Sequence, residues 1–176
     1  MDTATLLKGS IRDIPDFPKP GILFRDITPV LASAELFRAA IGEFVKICRE
    51  VKAEKIAGID ARGFLFGATV AYELGLGFVP IRKKGKLPFH TFAESYDLEY
   101  GSAEVEIHTD AFQKGEKVVL IDDLLATGGT AGAAVKLIKQ SGAELVAVAF
   151  LIELATLGGR AVLGEEVPVK AIVTYL

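Results

Sequence analysis

Two near-continuous apolar runs, KVVLID (Lys117 to Asp122) and LVAVAFLIEL (Leu145 to Leu154), flank a helical segment, TAGAAVKLIKQSGA (Thr130 to Ala143). A strand with no polar face has no side to offer water, so it belongs inside a sheet that is covered on both sides. A helix between two such strands is the crossover of a parallel pair, right-handed because the strands twist that way. The same unit occurs earlier in the chain. KIAGID (Lys55 to Asp60) reads as a strand, FLFGATVAYELG (Phe64 to Gly75) as a helix closed by glycine, and FVPIR (Phe78 to Arg82) as the next strand. The expectation is an α/β domain with a parallel sheet and helices on both faces. In such a sheet, ligands bind beyond the carboxyl ends of the strands.

At 176 residues and 51% apolar composition the chain suits one domain, 1–176, with a core that needs no covalent staple. Its lone cysteine, Cys48, falls on an apolar helical stripe that follows an N-cap at Ser33 and includes Phe37, Ala40, Ile41, Phe44 and Val45, so it reads as a buried hydrophobe. Twenty basic and 23 acidic side chains leave a net charge of −3, which speaks against nucleic acid or an anionic membrane as partner. Phosphate, if bound, must be held locally. The start, MDTATLLKGS, lacks a basic stretch followed by an apolar one, and no apolar run has the length of a membrane span, so the expected location is the cytoplasm. Glycine is mildly in excess, 18 residues of 176 against an average of about 7%. Some of it should mark tight turns or close approach of the backbone to a ligand.

Two segments depart from the alternating pattern. Prolines gather in IPDFPKPGILFRDITPV (Ile14 to Val30), which reads as an irregular part of an N-terminal arm spanning residues 1–32. Lys83 to Ser102 is too long for a plain connection and reads either as a flexible lid or as a short antiparallel excursion. Beyond it Ala103, Val105 and Ile107 alternate with Glu104, Glu106 and His108, the period of a half-exposed strand. That pattern places His108 on a solvated face, and His90 has no metal partner at ligand spacing.

The chemistry concentrates in VVLIDDLLATGGT (Val118 to Thr130). A buried strand delivers two adjacent carboxylates, Asp122 and Asp123, and a turn of small residues then opens a helix. Taken singly, the aspartates read as caps and the glycines as a turn. Together, Ala126, Thr127, Gly128, Gly129 and Thr130 line up backbone N–H groups and two hydroxyls at a helix N-terminus, a cradle for a phosphate monoester. The carboxylates upstream suit two vicinal hydroxyls. A phosphate site beside a diol site describes a ribose 5-phosphate. Neither G-x-x-x-x-G-K-[ST] nor a G-x-G-x-x-G following a strand occurs.

Apolar strand, paired acids and Thr/Gly-rich loop together resemble the phosphoribosyl diphosphate signature of the type I phosphoribosyltransferases. FRDITPV (Phe24 to Val30), ARGFLFG (Ala61 to Gly67), IRKKGKLP (Ile81 to Pro88), SYDLEYG (Ser95 to Gly101) and the spelling DDLLATGGT extend the resemblance to the adenine-specific members, from Asp16 to about Arg160. It implies the fold of that family, a parallel sheet with a flexible lid (83–102) and a small N-terminal arm or hood. It also implies that adenine N9 displaces diphosphate from C1 of the ribose, giving AMP, with Mg²⁺ carried largely by the diphosphate and no confident protein ligand for the metal. By resemblance Asp122 and Asp123 hold the ribose hydroxyls and Ala126 to Thr130 hold the 5-phosphate.

Arg62 and Lys83 contact the diphosphate on the same basis, with Arg82, Lys84 and Lys86 as weaker candidates. Read alone, Arg62 is equally a solvated turn residue and the lysines a solvated run. Leu23, Phe24 and Arg25 line the base by resemblance, main-chain atoms reading its edge and the Phe ring stacking on its face. Read alone, they are arm residues packed on a core. Glu99 is the implied general acid or hydrogen-bond partner at N7, and Tyr96 and Tyr100 close over the ribose. Family members are commonly homodimers. Two alternatives stay open at this point: a sister transferase for hypoxanthine, guanine, xanthine or orotate, and a non-catalytic sensor of phosphoribosyl diphosphate.

Overall fold

The computed structural model describes residues 2–98 and 101–176, which form two compact units, one ending at Glu43 and one running from Phe44 to Leu176. The N-terminal unit opens with α1 (Thr3–Ser10), capped by the Asp2 carboxylate, which accepts from the Thr5 N–H. β1 (Arg12–Pro15) and β2 (Leu23–Asp26) then pair antiparallel, Arg12 opposite Asp26 and Pro15 opposite Leu23. The Pro-rich stretch is therefore a two-stranded ribbon with a shaped connection, which corrects the expectation of an irregular segment. Cross-strand bonding and local polar bonds decide it. Asp16 at the turn accepts from the Gly21 N–H at 2.8 Å, Arg25 pairs with Asp13, and Phe17 meets Phe24 edge to face at 5.1 Å. α2 (Thr28–Ala32) follows, with Pro29 in its first turn, where a missing N–H costs nothing. α3 (Ala34–Glu50) begins after Ser33, whose hydroxyl accepts from the Leu36 N–H as the sequence predicts.

In the second unit the strands are β3 (Lys55–Ile59), β4 (Gly77–Lys83), β5 (Thr91–Asp97), β6 (Ser102–His108), β7 (Lys117–Leu125), β8 (Glu144–Leu154) and β9 (Val169–Tyr175). They form one sheet in the order β5-β6-β4-β3-β7-β8-β9, in which β4, β3, β7, β8 and β9 run parallel and β6 and β5 are antiparallel at one edge. α4 (Arg62–Leu74) follows β3 and ends at Gly75 in the left-handed conformation, φ 67°. α5 (Gly129–Gln140) connects β7 to β8, and α6 (Gly159–Leu163) precedes β9.

The two longer helices cover opposite faces. On one, Ala134, Leu137 and Ile138 of α5 pack with Ala57, Ile59, Ile81 and Leu120 of the sheet. On the other, α4 lies so close to β3 that a Cβ on either Gly58 or Gly67 would come within 2.8 Å of the Phe78 ring. The central strands are buried on both faces, as their apolar runs require.

Within Lys83 to Ser102 the described residues include an antiparallel strand: β5 pairs with β6 from Thr91 opposite His108 to Asp97 opposite Ser102. On β6 the period-two reading fails at Glu106, which is 8% exposed and accepts the Gly85 N–H at 3.0 Å. The neighbouring turn supplies the partner that makes its burial tolerable. His108 follows expectation less closely, since its Nε2 accepts the Phe89 N–H and its ring meets the Phe89 ring. β9 lies beyond the last motif readable in the sequence. Among the described residues no helix is long and apolar enough to cross a membrane.

Candidate active site

The carboxyl ends of β3, β4 and β7 converge on a cavity of about 630 Å³ lined by Asp60 to Arg62, Lys83, Asp122 to Ala131, and Tyr96 to Leu98. Its position is the one the parallel sheet dictates. Arg62, Lys83, Asp122, Asp123 and the whole of Ala126 to Thr130 are brought together there, although up to 68 positions separate them in sequence. Leu23, Phe24 and Arg25 lie on β2 of the N-terminal unit, with Phe24 half-buried beside Phe17 and Arg25 paired to Asp13. Glu99 and Tyr100 fall outside the described residues.

Two helices open onto the cavity without a side-chain cap. α5 starts after Gly128 and α4 after Ala61, and neither terminus has a side-chain hydrogen bond to its first N–H groups. The leading N–H groups carry the positive end of the helix dipole, although that of Phe64 in α4 already donates to the Ala61 carbonyl, so each terminus attracts an anion. Gly128 holds φ 86°, and a Cβ there would meet the Gly159 carbonyl oxygen at 2.6 Å. Glycine is needed at this turn for both reasons.

β7 extends three residues beyond the expected boundary, to Leu125, because its pairing with β8 continues through Leu124 opposite Ile152 and Leu125 opposite Glu153. The two aspartates are thus held by a ladder. Asp123 is buried, 6% exposed, and accepts from Arg62 Nε at 2.5 Å. Asp122 Oδ1 accepts the Asp123 N–H at 2.8 Å. Burial, and next the adjacent Asp123 charge, raise the Asp122 pKa well above the usual carboxylate range. For Arg62, burial works against the cation, but the hydrogen bond and charge of Asp123, with Asp122, raise its pKa above the ordinary guanidinium value. Gly63 belongs to the same cluster, for a Cβ would sit 2.8 Å from Asp122 Oδ1 and 2.9 Å from the Ile121 carbonyl oxygen.

The basic run separates on folding. Lys83 reaches the cavity wall, whereas Arg82 Nε donates to Asp60 at 3.1 Å and Lys84 pairs with Glu104 at 3.0 Å. Lys86 donates its backbone N–H to the Lys83 carbonyl, tightening the turn. Alternation at the end of β4 sends Arg82 and Lys83 to opposite faces, and the chain turns after Lys83, so a contiguous charge cluster in sequence is not one in space.

Residues 30–163 match the family described as phosphoribosyl transferase domain. An adenine phosphoribosyltransferase of Bradyrhizobium sp. (strain BTAi1 / ATCC BAA-1182) is 56% identical over 170 residues, covering 96% of this chain and 95% of the relative. The chain belongs to the phosphoribosyltransferase family, among the adenine phosphoribosyltransferases. Solved structures agree. The adenine phosphoribosyltransferase of Thermoanaerobacter pseudethanolicus superposes with a TM-score of 0.93 at 48% identity, covering 98% of this chain and 99% of that one. The Saccharomyces cerevisiae enzyme, complexed with adenine and an imino-altritol bisphosphate, gives 0.91 at 42% identity, covering 97% and 98%. Membership makes the chain a pentosyl-transferring enzyme.

Several members of this phosphoribosyltransferase's cavity wall escaped the sequence reading. Asp60 ends an apolar run without a role of its own, and Asp97 lies within SYDLEYG but was given none; Gly159, outside the lining but packed against Ala126, is one of the glycines that composition counts without locating. The Gly-Gly-Arg spelling at 158–160, one short turn (Ala155–Leu157) after a buried strand, is the signal available for it.

Proposed function

We propose that the chain transfers the phosphoribosyl group of 5-phosphoribosyl 1-diphosphate to adenine, releasing AMP and diphosphate. One observation carries this reading: two uncapped helix N-termini, a lysine, an arginine and adjacent carboxylates face one cavity. The α5 terminus with Thr127 and Thr130 suits the 5-phosphate, and the α4 terminus with Arg62 and Lys83 suits the diphosphate. Between them Asp122 and Asp123 accept from the ribose hydroxyls. Asp123 already engages Arg62 through Nε, so the terminal guanidinium nitrogens are the ones a diphosphate would take.

Adenine N9 attacks C1 of the ribose as the bond to diphosphate breaks, and C1 inverts. Positive charge develops at the sugar and negative charge on the leaving group, where preset cations and N–H dipoles stabilise it without reorganising. In the proposed assignment Leu23, Phe24 and Arg25 select the base, and Glu99 hydrogen-bonds N7–H and takes that proton as N9 bonds to C1. Tyr100 closes over the ribose to exclude water. Mg²⁺ would be carried largely by the oxygens of the diphosphate and by water, with no protein ligand assigned to it. When bound, it neutralises charge on the diphosphate. The chain is further proposed to be cytoplasmic and a homodimer.

Incubating the protein with phosphoribosyl diphosphate, Mg²⁺ and each base in turn, with diphosphate release as readout, tests the reading. Release with adenine alone is expected. Release with hypoxanthine, guanine, xanthine or orotate instead reassigns the base, and release with none removes the activity.

A further inference from the structure

Outside the lining of the cavity lies an ion pair whose hydrogen bonds go to none of the residues proposed to meet substrate. Glu153, 4% exposed near the end of β8, receives two hydrogen bonds from Arg160, Nε to Oε1 at 2.5 Å and Nη2 to Oε2 at 2.7 Å. The remaining guanidinium nitrogen, Nη1, donates to the Val169 carbonyl of β9 at 2.7 Å. All three nitrogens are therefore committed. A guanidinium used this way fixes the backbone that bears it, because its planar fork matches one carboxylate geometry.

That backbone is the wall of the loop. Gly159, adjacent to Arg160, is packed so tightly that a Cβ would overlap the Ala126 carbonyl oxygen and reach 2.8 Å from Leu125. From the other side, a Cβ on Gly128 would meet the Gly159 carbonyl oxygen. Two glycine backbones thus lie against each other, one in the loop and one in the turn that Arg160 holds. Leu125, the last residue before the loop, is also the register partner of Glu153. The carboxylate and the loop are tied to the same rung of the sheet.

We infer that Glu153 and Arg160 are positioning residues for the 5-phosphate loop, setting its grip on the phosphoribosyl substrate without contacting it. The inference rests on the reading of Ala126 to Thr130 as the 5-phosphate site. Loosening the fork lets the turn at Gly159 drift, and Ala126 to Gly128 lose the surface that fixes the direction of their N–H groups. An error on the order of 1 Å in such a cradle is worth up to about a hundredfold. The step in which adenine attacks C1 is untouched. The loss therefore falls on binding of the phosphorylated sugar.

Arg160→Lys keeps the charge but loses the fork, and Glu153→Gln keeps the shape but loses the charge. For both variants and the unaltered protein, KM for phosphoribosyl diphosphate, KM for adenine, kcat and the thermal midpoint are measured, together with calorimetric binding of ribose 5-phosphate. Expected are a rise of about tenfold in KM for phosphoribosyl diphosphate and in the Kd of ribose 5-phosphate, with kcat and KM for adenine within about threefold. Arg160→Ala, which strips Glu153 of its partner, should exceed Arg160→Lys in that effect wherever it folds. An unchanged KM and Kd in the two milder variants overturns the inference, as does a parallel decline of every parameter with thermal stability. If the unaltered protein binds ribose 5-phosphate but releases no diphosphate, the proposed activity fails while the variants' Kd values still decide the inference. If it does not bind ribose 5-phosphate, both fail.

Discussion

Asp122 shows how a single side chain can be held at a cost for the sake of a site. Burial and the neighbouring Asp123 charge make the folded protein hold the Asp122 proton to higher pH than the unfolded chain does. Between those two values the folded state binds more protons, so stability falls as pH rises through that window. Asp122→Asn removes the charge and keeps the oxygen that accepts the Asp123 N–H. Its thermal midpoint should exceed that of the parent by about 2–4 °C at neutral pH, for roughly 1 kcal/mol at this chain length. The advantage should fade as pH falls toward the ordinary aspartate value of 3.8. The same variant should lose affinity for phosphoribosyl diphosphate, and unchanged kinetics would remove the ribose role. Cys48 is the opposite case, a residue whose burial has no functional use: it is 1% exposed, and burial pushes its thiol up to about 12. A thiol reagent at neutral pH should leave it unmodified in the folded protein and label it after unfolding, read by mass spectrometry. Its inertness was legible in the sequence from helical spacing alone. The Asp122 environment was not, because Gly63 of α4, which packs against its carboxylate, is distant in sequence.

At the scale of elements, function depends on how closely α4 approaches β7. Gly63 sits between the Asp122 carboxylate and the Ile121 carbonyl, and the helix enters the cavity at that point. Gly63→Ala places a methyl group inside both contacts. A loss of about 1–3 kcal/mol in denaturant unfolding is expected, with a fall in kcat/KM beyond what reduced folding explains. The start and end of α4 and α5 could be read from glycine signals and apolar spacing. The ribbon of β1 and β2 could not, because its proline and glycine content suggests a loop until cross-strand partners are known. β5 was similarly undetermined between lid and strand, since Glu94 stands between Phe92 and Tyr96 on the more buried side and interrupts the apolar alternation. Glu106 was misjudged as solvated for a related reason: only the Gly85 turn folding back beside it supplies the N–H that lets it be buried.

Across the whole molecule, a net charge of −3 coexists with a cavity that Arg62 and Lys83 line. The fold reconciles them by turning Lys83 and Arg62 toward the cavity while Arg82 and Lys84 are neutralised by Asp60 and Glu104. Attraction is therefore short-ranged. Raising ionic strength from about 0.05 to 0.5 M should raise KM for phosphoribosyl diphosphate only severalfold and leave KM for adenine nearly unchanged, since the exposed part of the field is screened and the adenine is neutral. The sequence by itself determined the α/β class, the polarity of the central strands and the small-residue turn that opens α5. Each follows from contacts that are local or periodic: an apolar run, a capped helix, a turn of small residues. The tertiary structure alone decided which lysine of a run reaches the cavity, that Arg62 belongs to Asp123, and that Gly159 with Arg160 and Glu153 backs the loop. Those pairings join residues far apart in sequence. They are fixed by strand register and helix approach, quantities that a one-dimensional pattern does not contain.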